Sequence, residues 1–582
     1  MKLAPTNSMK RVFLYWLLIL FLCISCGVSR SVRHTPNLDN YSTNPPEVVR
    51  IDDSTFYADK AFVTKNQQQQ WELYLEGDPL QLGYQHGGLM QSLVQQQEKY
   101  FFSRVADFVP SRFKQKMLSG FLKWYNRKMY LHVSNDYQAE IYGLSHYSSD
   151  KYDDVAPRFL RNMYLHGAHD IGHALQDMMM VGCSSLAVWD ENSEDGSLLI
   201  GRNFDFYVSD DFAENKVVQF VRPSKGIPYV SISWPGMTGV VSGMNYDGLT
   251  VTINAAKSKI PLAAKTPISL LTKEILQFST TIEEAITIAK KRQVFVSESI
   301  IIGSAKDRRA IIIEVAPANF GVYEVPNSTH LICTNHFQSQ VYQQESRNLS
   351  QIREGVSSYR YEKLQELLQQ EKKLNTKEMA DILRNREGLN ARSIGYGNEK
   401  ALNQLLAHHS VIFSPEQKKI WVSSKPYQLG EMVCYDLNDI FGAQPKPGKL
   451  STPAFNIPRS PFADSEEFLN YERFKKVSLT IDSAIRNKTT LDEALLQNFI
   501  NLNPDFWLSY FKVGQYFFTQ KNYSEAEVYF GRATQREITR VSDRNNTESY
   551  LRKTRRRNRG FEKQATRDHS DSVHVKSLKK LP

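Results

Sequence analysis

The sequence predicts an α+β fold in which antiparallel sheets are covered by helices. Three observations predict it. Strand-length apolar runs cluster in blocks, between Lys216 and Asn254 and again between Phe295 and Thr334. Pairs of helical segments, not single ones, separate the blocks. Turn residues such as Asn245-Tyr246-Asp247-Gly248 join neighbouring runs at hairpin distance, a connection that parallel strands cannot use.

The chain has 582 residues, too many for one ordinary core, and its 41% hydrophobic and 12% aromatic content is that of globular domains. One large domain and an accessory are expected. The formal charge of +10 is concentrated at the end, where eleven Lys or Arg face three acidic residues between Leu551 and Pro582. The rest is close to neutral, so nucleic-acid binding is not expected, and residues 546–582 read as a basic disordered tail.

Taken in order, residues 1–26 read as an export leader, with Lys10 and Arg11 ahead of the apolar run Val12 to Leu22. Cys23-Ile24-Ser25-Cys26-Gly27 resembles the lipobox of bacterial lipoproteins. Cys26 is therefore the expected lipidation site, implying an exported, membrane-anchored lipoprotein at the periplasmic or cell surface. Cys183, Cys333 and Cys434 remain, and at least one of three must stay unpaired. Residues 27–60 read as a polar tether. Residues 61–182 read as a mostly helical front segment, opened by a strand at Trp71 and a turn at Gly77-Asp78-Pro79. The core, 183–445, carries the strand blocks and the helices Ile268 to Phe278 and Ile282 to Lys291, the latter capped by Thr280 or Thr281 with Glu283 and Glu284 in its first turn. Further helices are expected at Tyr361 to Glu371 and Thr376 to Arg384, and closing strands at Ser410 to Phe413, Lys419 to Ser423 and Met432 to Leu437. A Pro-rich linker, 446–478, leads to a helical region, 479–545. There Asn503 to Ile538 resembles a single tetratricopeptide-type helix pair, either a packing hairpin or a surface for a protein partner.

The chemistry concentrates on one hairpin. Val181 to Trp189 and Ile200 to Phe206 are strand-like, and Asp190 to Gly196 has the composition of a turn. A pivot near Ser193 sets Cys183 opposite Asn203 and brings Arg202 and Asp205 within a residue or two of the thiol. After Met178-Met179-Met180-Val181, a cysteine reads either as an inert buried residue or as a nucleophile. Gly182 leaves its carbonyl open to attack, Arg202 could favour a thiolate and Asp205 could orient a base, yet no activating histidine stands out; His336, at a strand end, reads as structural. His166, His169 and His173 share a helix stripe with Asp170, which reads either as a polar face or as a metal set.

Gly182-Cys183-Ser184-Ser185, Gly201-Arg202-Asn203-Phe204-Asp205, Met244-Asn245-Tyr246-Asp247-Gly248-Leu249 leading to Asn254, and Cys333-Thr334-Asn335-His336 resemble the penicillin acyltransferase (acyl-coenzyme A:6-aminopenicillanic acid acyltransferase) family of cysteine N-terminal-nucleophile (Ntn) hydrolases. The resemblance runs from about Leu73 to Leu437. It implies a four-layer αββα sandwich and a precursor that cuts itself between Gly182 and Cys183, the freed α-amine of Cys183 serving as base. It also implies that Arg202 stabilises the nucleophile, Asp205 holds the α-amine, Asn254 forms the oxyanion hole, Asn335 holds the amine or the scissile amide, and Arg360 matches the family's downstream arginine. The implied substrate is a small N-acyl compound, cleaved or transferred without metal or cofactor. A lipid-ester hydrolase on the same scaffold and an uncleaved binding lipoprotein remain as rivals.

Overall fold

The computed structural model describes residues 27–167, 170, 180–207, 210–259, 263–370, 373–406 and 408–578. The expected leader and Cys26 lie outside them. The chain divides into two compact units. The first takes in the described residues up to Leu349 with Leu367–Leu383 and Leu406–Pro458; the second takes in Ser350–Glu366, Arg384–Leu405 and the chain from Arg459.

The first unit contains 19 strands: β1 (Val48–Arg50), β2 (Phe56–Ala58), β3 (Ala61–Lys65), β4 (Trp71–Gly77), β5 (Met180–Val181), β6 (Ser184–Val188), β7 (Leu199–Phe204), β8 (Phe206–Tyr207), β9 (Val217–Pro223), β10 (Tyr229–Ser233), β11 (Ser242–Asn245), β12 (Leu249–Ala255), β13 (Glu298–Ser304), β14 (Arg309–Val315), β15 (Phe320–Tyr323), β16 (His330–Cys333), β17 (His409–Ser414), β18 (Lys419–Ser423) and β19 (Met432–Asp436). An 11-stranded sheet runs β1-β2-β3-β4-β9-β10-β11-β12-β13-β14-β15, and a 6-stranded sheet runs β16-β6-β7-β17-β18-β19. Every pairing in these two sheets is antiparallel except that of β4 with β9.

Side-chain alternation assigns the layers. From β13 and β14, Ile301 and Ile312 point between the sheets, where they meet Ile200, Leu331, Val411 and Phe413 of the smaller sheet. Their neighbours Ile300, Ile302, Ile311 and Ile313 point the other way, onto Leu271, Ile275, Ile282 and Ile286 of the helices Ile268–Phe278 and Ile282–Lys291. A strand covered on both faces needs no polar side, which is why these segments read as continuous isoleucine runs. Helix Thr376–Leu383 covers the far face of the smaller sheet: a β-carbon at Gly201 in β7 would lie 2.4 Å from the Met379 sulfur. The result is the αββα sandwich. Thr281 is the cap of its helix and forms a capping box with Glu284.

Three expectations are corrected. Residues 27–60 are not only a tether, because β1 and β2 add to the edge of the large sheet; strands of three residues are too short to show a period. The linker 446–478 already contains the start of helix Glu466–Asn487, whose Ser465 cap and paired glutamates override the prolines upstream. Residues 546–578 are helical, within Val541–Leu578. Charge density predicted disorder, but Tyr550 packs on Phe511 and Phe530, and Arg557 donates to the Tyr523 hydroxyl at 2.8 Å, inside the second unit. That unit also holds Trp507–Thr519 and Tyr523–Thr534, the expected helical hairpin, and Glu493–Leu502, whose Phe499 stacks on Phe474 at 4.5 Å. Among the described residues no helix is long and apolar enough to cross a membrane.

Glu72 of β4 is buried and hydrogen-bonded to Asn66 (2.9 Å) and the Tyr435 hydroxyl (3.0 Å). Burial raises its carboxyl to about 7, against the pull of both hydrogen bonds. A carboxyl held above its unfolded value of 4.5 stabilises the fold fully below that pH, and the contribution is lost as pH rises through 7. The shift corresponds to about 3 kcal/mol. Urea unfolding at pH 4.5 and pH 8 should therefore show a loss in the parent that Glu72→Gln escapes; parallel pH profiles for the two proteins would refute it.

Candidate active site

Hairpin β6–β7 forms as expected, but its register differs by one residue. Ser184 pairs with Asn203 and Ser185 with Arg202. Because strand side chains alternate with period two, this shift decides which residue meets the thiol. Arg202 faces the space between the sheets, on the side of Cys183. Asn203 is turned to the other face, where its amide donates to the Leu383 carbonyl at 2.7 Å.

Cys183 is fully buried, and the Arg202 guanidinium approaches its sulfur at 3.7 Å. Arg202 is pinned on several sides. Nη1 donates to the Val241 carbonyl (3.0 Å) and the Ser242 hydroxyl, Nη2 donates to the Ile253 carbonyl, and the guanidinium lies 4.3 Å over the Phe204 ring. Burial pulls its pKa below the usual arginine range, while Cys183, Glu298 and Asp205 act to restore it. The chain just before the cysteine is held by backbone pairing: Met180 and Val181 pair with Tyr207 and Phe206, and the Gly182 amide donates to the Asp205 carbonyl at 3.1 Å. Gly182 and Asp205 thus meet beside the thiol, and Gln428 donates to the Asp205 carboxylate at 3.3 Å.

Asn254, near the end of β12, bridges the two sheets. Its side-chain oxygen accepts from Ser185 (3.2 Å) and its amide donates to the Cys333 carbonyl (3.0 Å). Asn335 follows β16 and donates to the Ala255 carbonyl at 2.9 Å. The structure thus brings Gly182, Cys183, Arg202, Asp205, Asn254 and Asn335 into one connected region of the first unit. Arg360 belongs to the second unit, where it is buried on helix Ser357–Gln370. His336 contacts the Thr334 hydroxyl at 3.2 Å. His166 is engaged by the Asn162 carbonyl (2.8 Å) and by Thr238 (3.0 Å), which favours the structural reading; His169 and His173 lie outside the described residues. Cys183, Cys333 and Cys434 are all buried, and burial pushes the Cys333 thiol far above the usual range.

Sequence reasoning missed a chain of polar groups behind Arg202. Ser242 Oγ lies 2.8 Å from His409 Nε2, and His409 Nδ1 lies 2.8 Å from His408 Nδ1. A guanidinium can only donate, and this orders the whole chain. Ser242 accepts from Arg202 and gives its proton to His409 Nε2. His409 must then carry its proton on Nδ1 and donate to His408, whose proton sits on Nε2. Both rings are neutral, because burial drives His408 down to about 3 and His409 well below the usual histidine value. His408 also lines a cavity of about 270 Å³ together with Lys216 and Gln428. Burial lowers the Lys216 ammonium to about 7. The signal for this chain was present but fell at a boundary: the sequence reading began β17 at Ser410, one residue after His409, which pairs with Phe204.

Residues 191–426 match the family model described as acyl-coenzyme A:6-aminopenicillanic acid acyl-transferase. This stretch of the chain is similar to that family. Within the acyl-transferase match lie Arg202, Asp205, Asn254, Asn335 and Arg360, while Gly182 and Cys183 lie outside it, upstream of residue 191. An uncharacterized protein of Archaeoglobus fulgidus is 27% identical over 275 residues, 43% of this chain and 44% of that relative, so the chain spans less than half of the relative's length. Among solved structures, a Caenorhabditis elegans N-acylethanolamine-hydrolyzing acid amidase ortholog is 19% identical, covering 40% of this chain and 93% of that one with a TM-score of 0.29. A conjugated bile acid hydrolase from Clostridium perfringens is 14% identical, covering 45% and 93% with a TM-score of 0.30. These superpositions are too loose to add to the family match.

Proposed function

We propose that the chain is a self-processing amide hydrolase or acyltransferase with Cys183 as its nucleophile. The observation that carries this reading is the Cys183 sulfur 3.7 Å from a buried guanidinium, beside the point where the Gly182 amide is held by the Asp205 carbonyl. In the first reaction Sγ attacks the Gly182 carbonyl carbon, the C–N bond to Cys183 breaks, and the thiol proton passes to the new α-amine. Water then hydrolyses the thioester, leaving a Gly182 carboxylate and a free thiol.

In turnover that α-amine, with an unperturbed pKa of roughly 7.7 to 8, takes the thiol proton and delivers it to the leaving amine of the substrate. The acyl group stays on sulfur until water or an acceptor amine accepts it. Arg202 supports the thiolate as a charge-assisted donor. The Asn254 amide has two hydrogens; Cys333 takes one, and the other serves the oxyanion, worth roughly 3 to 4 kcal/mol. Asp205 holds the α-amine and is itself held by Gln428.

Mass spectrometry of the purified protein tests the first step. A fragment beginning at Cys183 is expected, and it should copurify with the front segment because β4 and β9 pair along seven residues across the cut. An intact chain with full activity on N-acyl amino acids, bile amides or penicillin V would refute the processing.

A further inference from the structure

Helix Arg112–Tyr125 turns an apolar stripe toward solvent. Phe113, Met117 and Phe121, spaced i, i+4, i+8, are 72%, 61% and 47% exposed, and Phe108 and Leu131 on either side of the helix are exposed as well. An amphipathic helix packed on a globular core buries such a stripe, and here only Tyr125 of the helix is buried.

The charges of the same segment are of one sign. Between Asp107 and Asp136 there is no acidic residue, whereas Arg112, Lys114, Lys116, Lys123, Arg127 and Lys128 all fall there. The neighbouring ion pairs are Arg104 with Asp107 and Arg158 with Asp153, and among the described residues none of the six cations forms one. Lys123 and Arg127 instead reach backbone carbonyls, of Asp154 and Trp124. Exposed aromatic and methionine side chains flanked by unpaired cations suit the boundary between acyl chains and anionic headgroups. A polyanion such as DNA would use the charges and leave the apolar stripe in water.

A second observation places the same face at a membrane. Gly27, the residue after the expected lipid attachment point, packs against the far end of this segment: a β-carbon there would lie 3.2 Å from Arg127 Cδ. A lipid on Cys26 and the exposed helix would therefore reach the bilayer from one side of the first unit.

We propose that helix Arg112–Tyr125 lies in the plane of an anionic phospholipid bilayer, with Phe113, Met117 and Phe121 below the headgroups and the lysines on their phosphates. The proposal does not depend on the chemistry at Cys183. It also differs from anchoring by Cys26, since a tether holds the protein near the surface without burying this helix.

An environment-sensitive NBD fluorophore attached through Met117→Cys reads burial directly in the full chain. Its emission should shift to the blue with phosphatidylglycerol vesicles and not with phosphatidylcholine vesicles. Adding Lys114→Gln and Lys116→Gln should weaken partitioning about 30-fold at low salt, at about a factor of five for each cation. Phe113→Ser with Phe121→Ser, both exposed and so harmless to folding, should abolish the shift. No spectral change on phosphatidylglycerol would overturn the proposal. So would a shift that survives the double serine variant, or an equal response to double-stranded DNA.

Discussion

Cys183→Ala should yield a single uncut chain and no measurable amide turnover. The substitution removes one sulfur from a site already lined by Phe204 and Phe206, so the fold should persist at a cost of about 1 kcal/mol. The chemical cost is far larger: with no sulfur to attack the Gly182 carbonyl, the base that the mechanism uses is never released. Loss of the nucleophile and loss of its base are one event here, and the expected drop in kcat is about 10^6-fold, as for removal of other covalent nucleophiles. Cys333→Ala is the matched control, because Cys333 is equally buried and, although its thiol also touches Asn254, its backbone carbonyl keeps the Asn254 hydrogen bond after the substitution. It should be cut and remain active. Two fragments from Cys183→Ala, or identical behaviour of the two variants, would remove Cys183 from the proposed role.

Arg202→Leu is expected to be the second most damaging change. It deletes a buried cation that donates to Val241, Ser242 and Ile253 and approaches Cys183. Breaking such a hydrogen-bonded set costs about 3 to 5 kcal/mol of stability, and the processed enzyme should lose about 10^2- to 10^3-fold in kcat/KM. Arg202→Lys separates the two effects. It keeps a charge near the sulfur but cannot reach Ser242, Val241 and Ile253 together, so processing should be slowed while most of the melting temperature is recovered. The donor order from Arg202 through Ser242 to His409 and His408 would then be broken at its first link. Iodoacetamide alkylation of the processed thiol across pH 6 to 9 reads that directly, with the rate profile moving to higher pH in both variants. An unmoved profile in Arg202→Leu would mean that the guanidinium does not support the thiolate.

Much of the first unit is legible in the order of its residues. The helices Ile268–Phe278 and Ile282–Lys291 span the ranges their 3.6-residue period predicts, and the second starts at its expected threonine cap. The closing strands β17, β18 and β19 differ from their expected bounds by at most one residue at either end. That Gly182, Cys183, Arg202, Asp205, Asn254 and Asn335 gather in one region was legible too, because each residue type at its spacing has a recognisable chemical use; the roles are those proposed above. What could not be read was pairing across long separations. His409, Ser242 and Gln428 are ordinary residues in sequence and become neighbours of the site only once β7, β11 and β17 are assembled. The edge strands β1 and β2 were misread because three residues show no period, and the helical 546–578 stretch because its packing partners, Phe511, Phe530 and Tyr523, come from earlier helices and not from local propensity.

The sequence by itself determined that Cys183 opens a hairpin whose second strand carries Arg202, with Asp205 just past its end. Only the tertiary structure decided the register, and with it which side chain the sulfur meets. The expected turn pivot turned Asn203 toward the thiol; the ladder from Ser184–Asn203 to Val188–Leu199 turns Arg202 there instead. A one-residue slip exchanges the two faces of a strand, and the choice between them rests on burial. Ile200 must enter the layer between the sheets while Gly201 admits Met379 from the helix behind. Packing on those two residues, distant from the reaction, puts the arginine next to the cysteine.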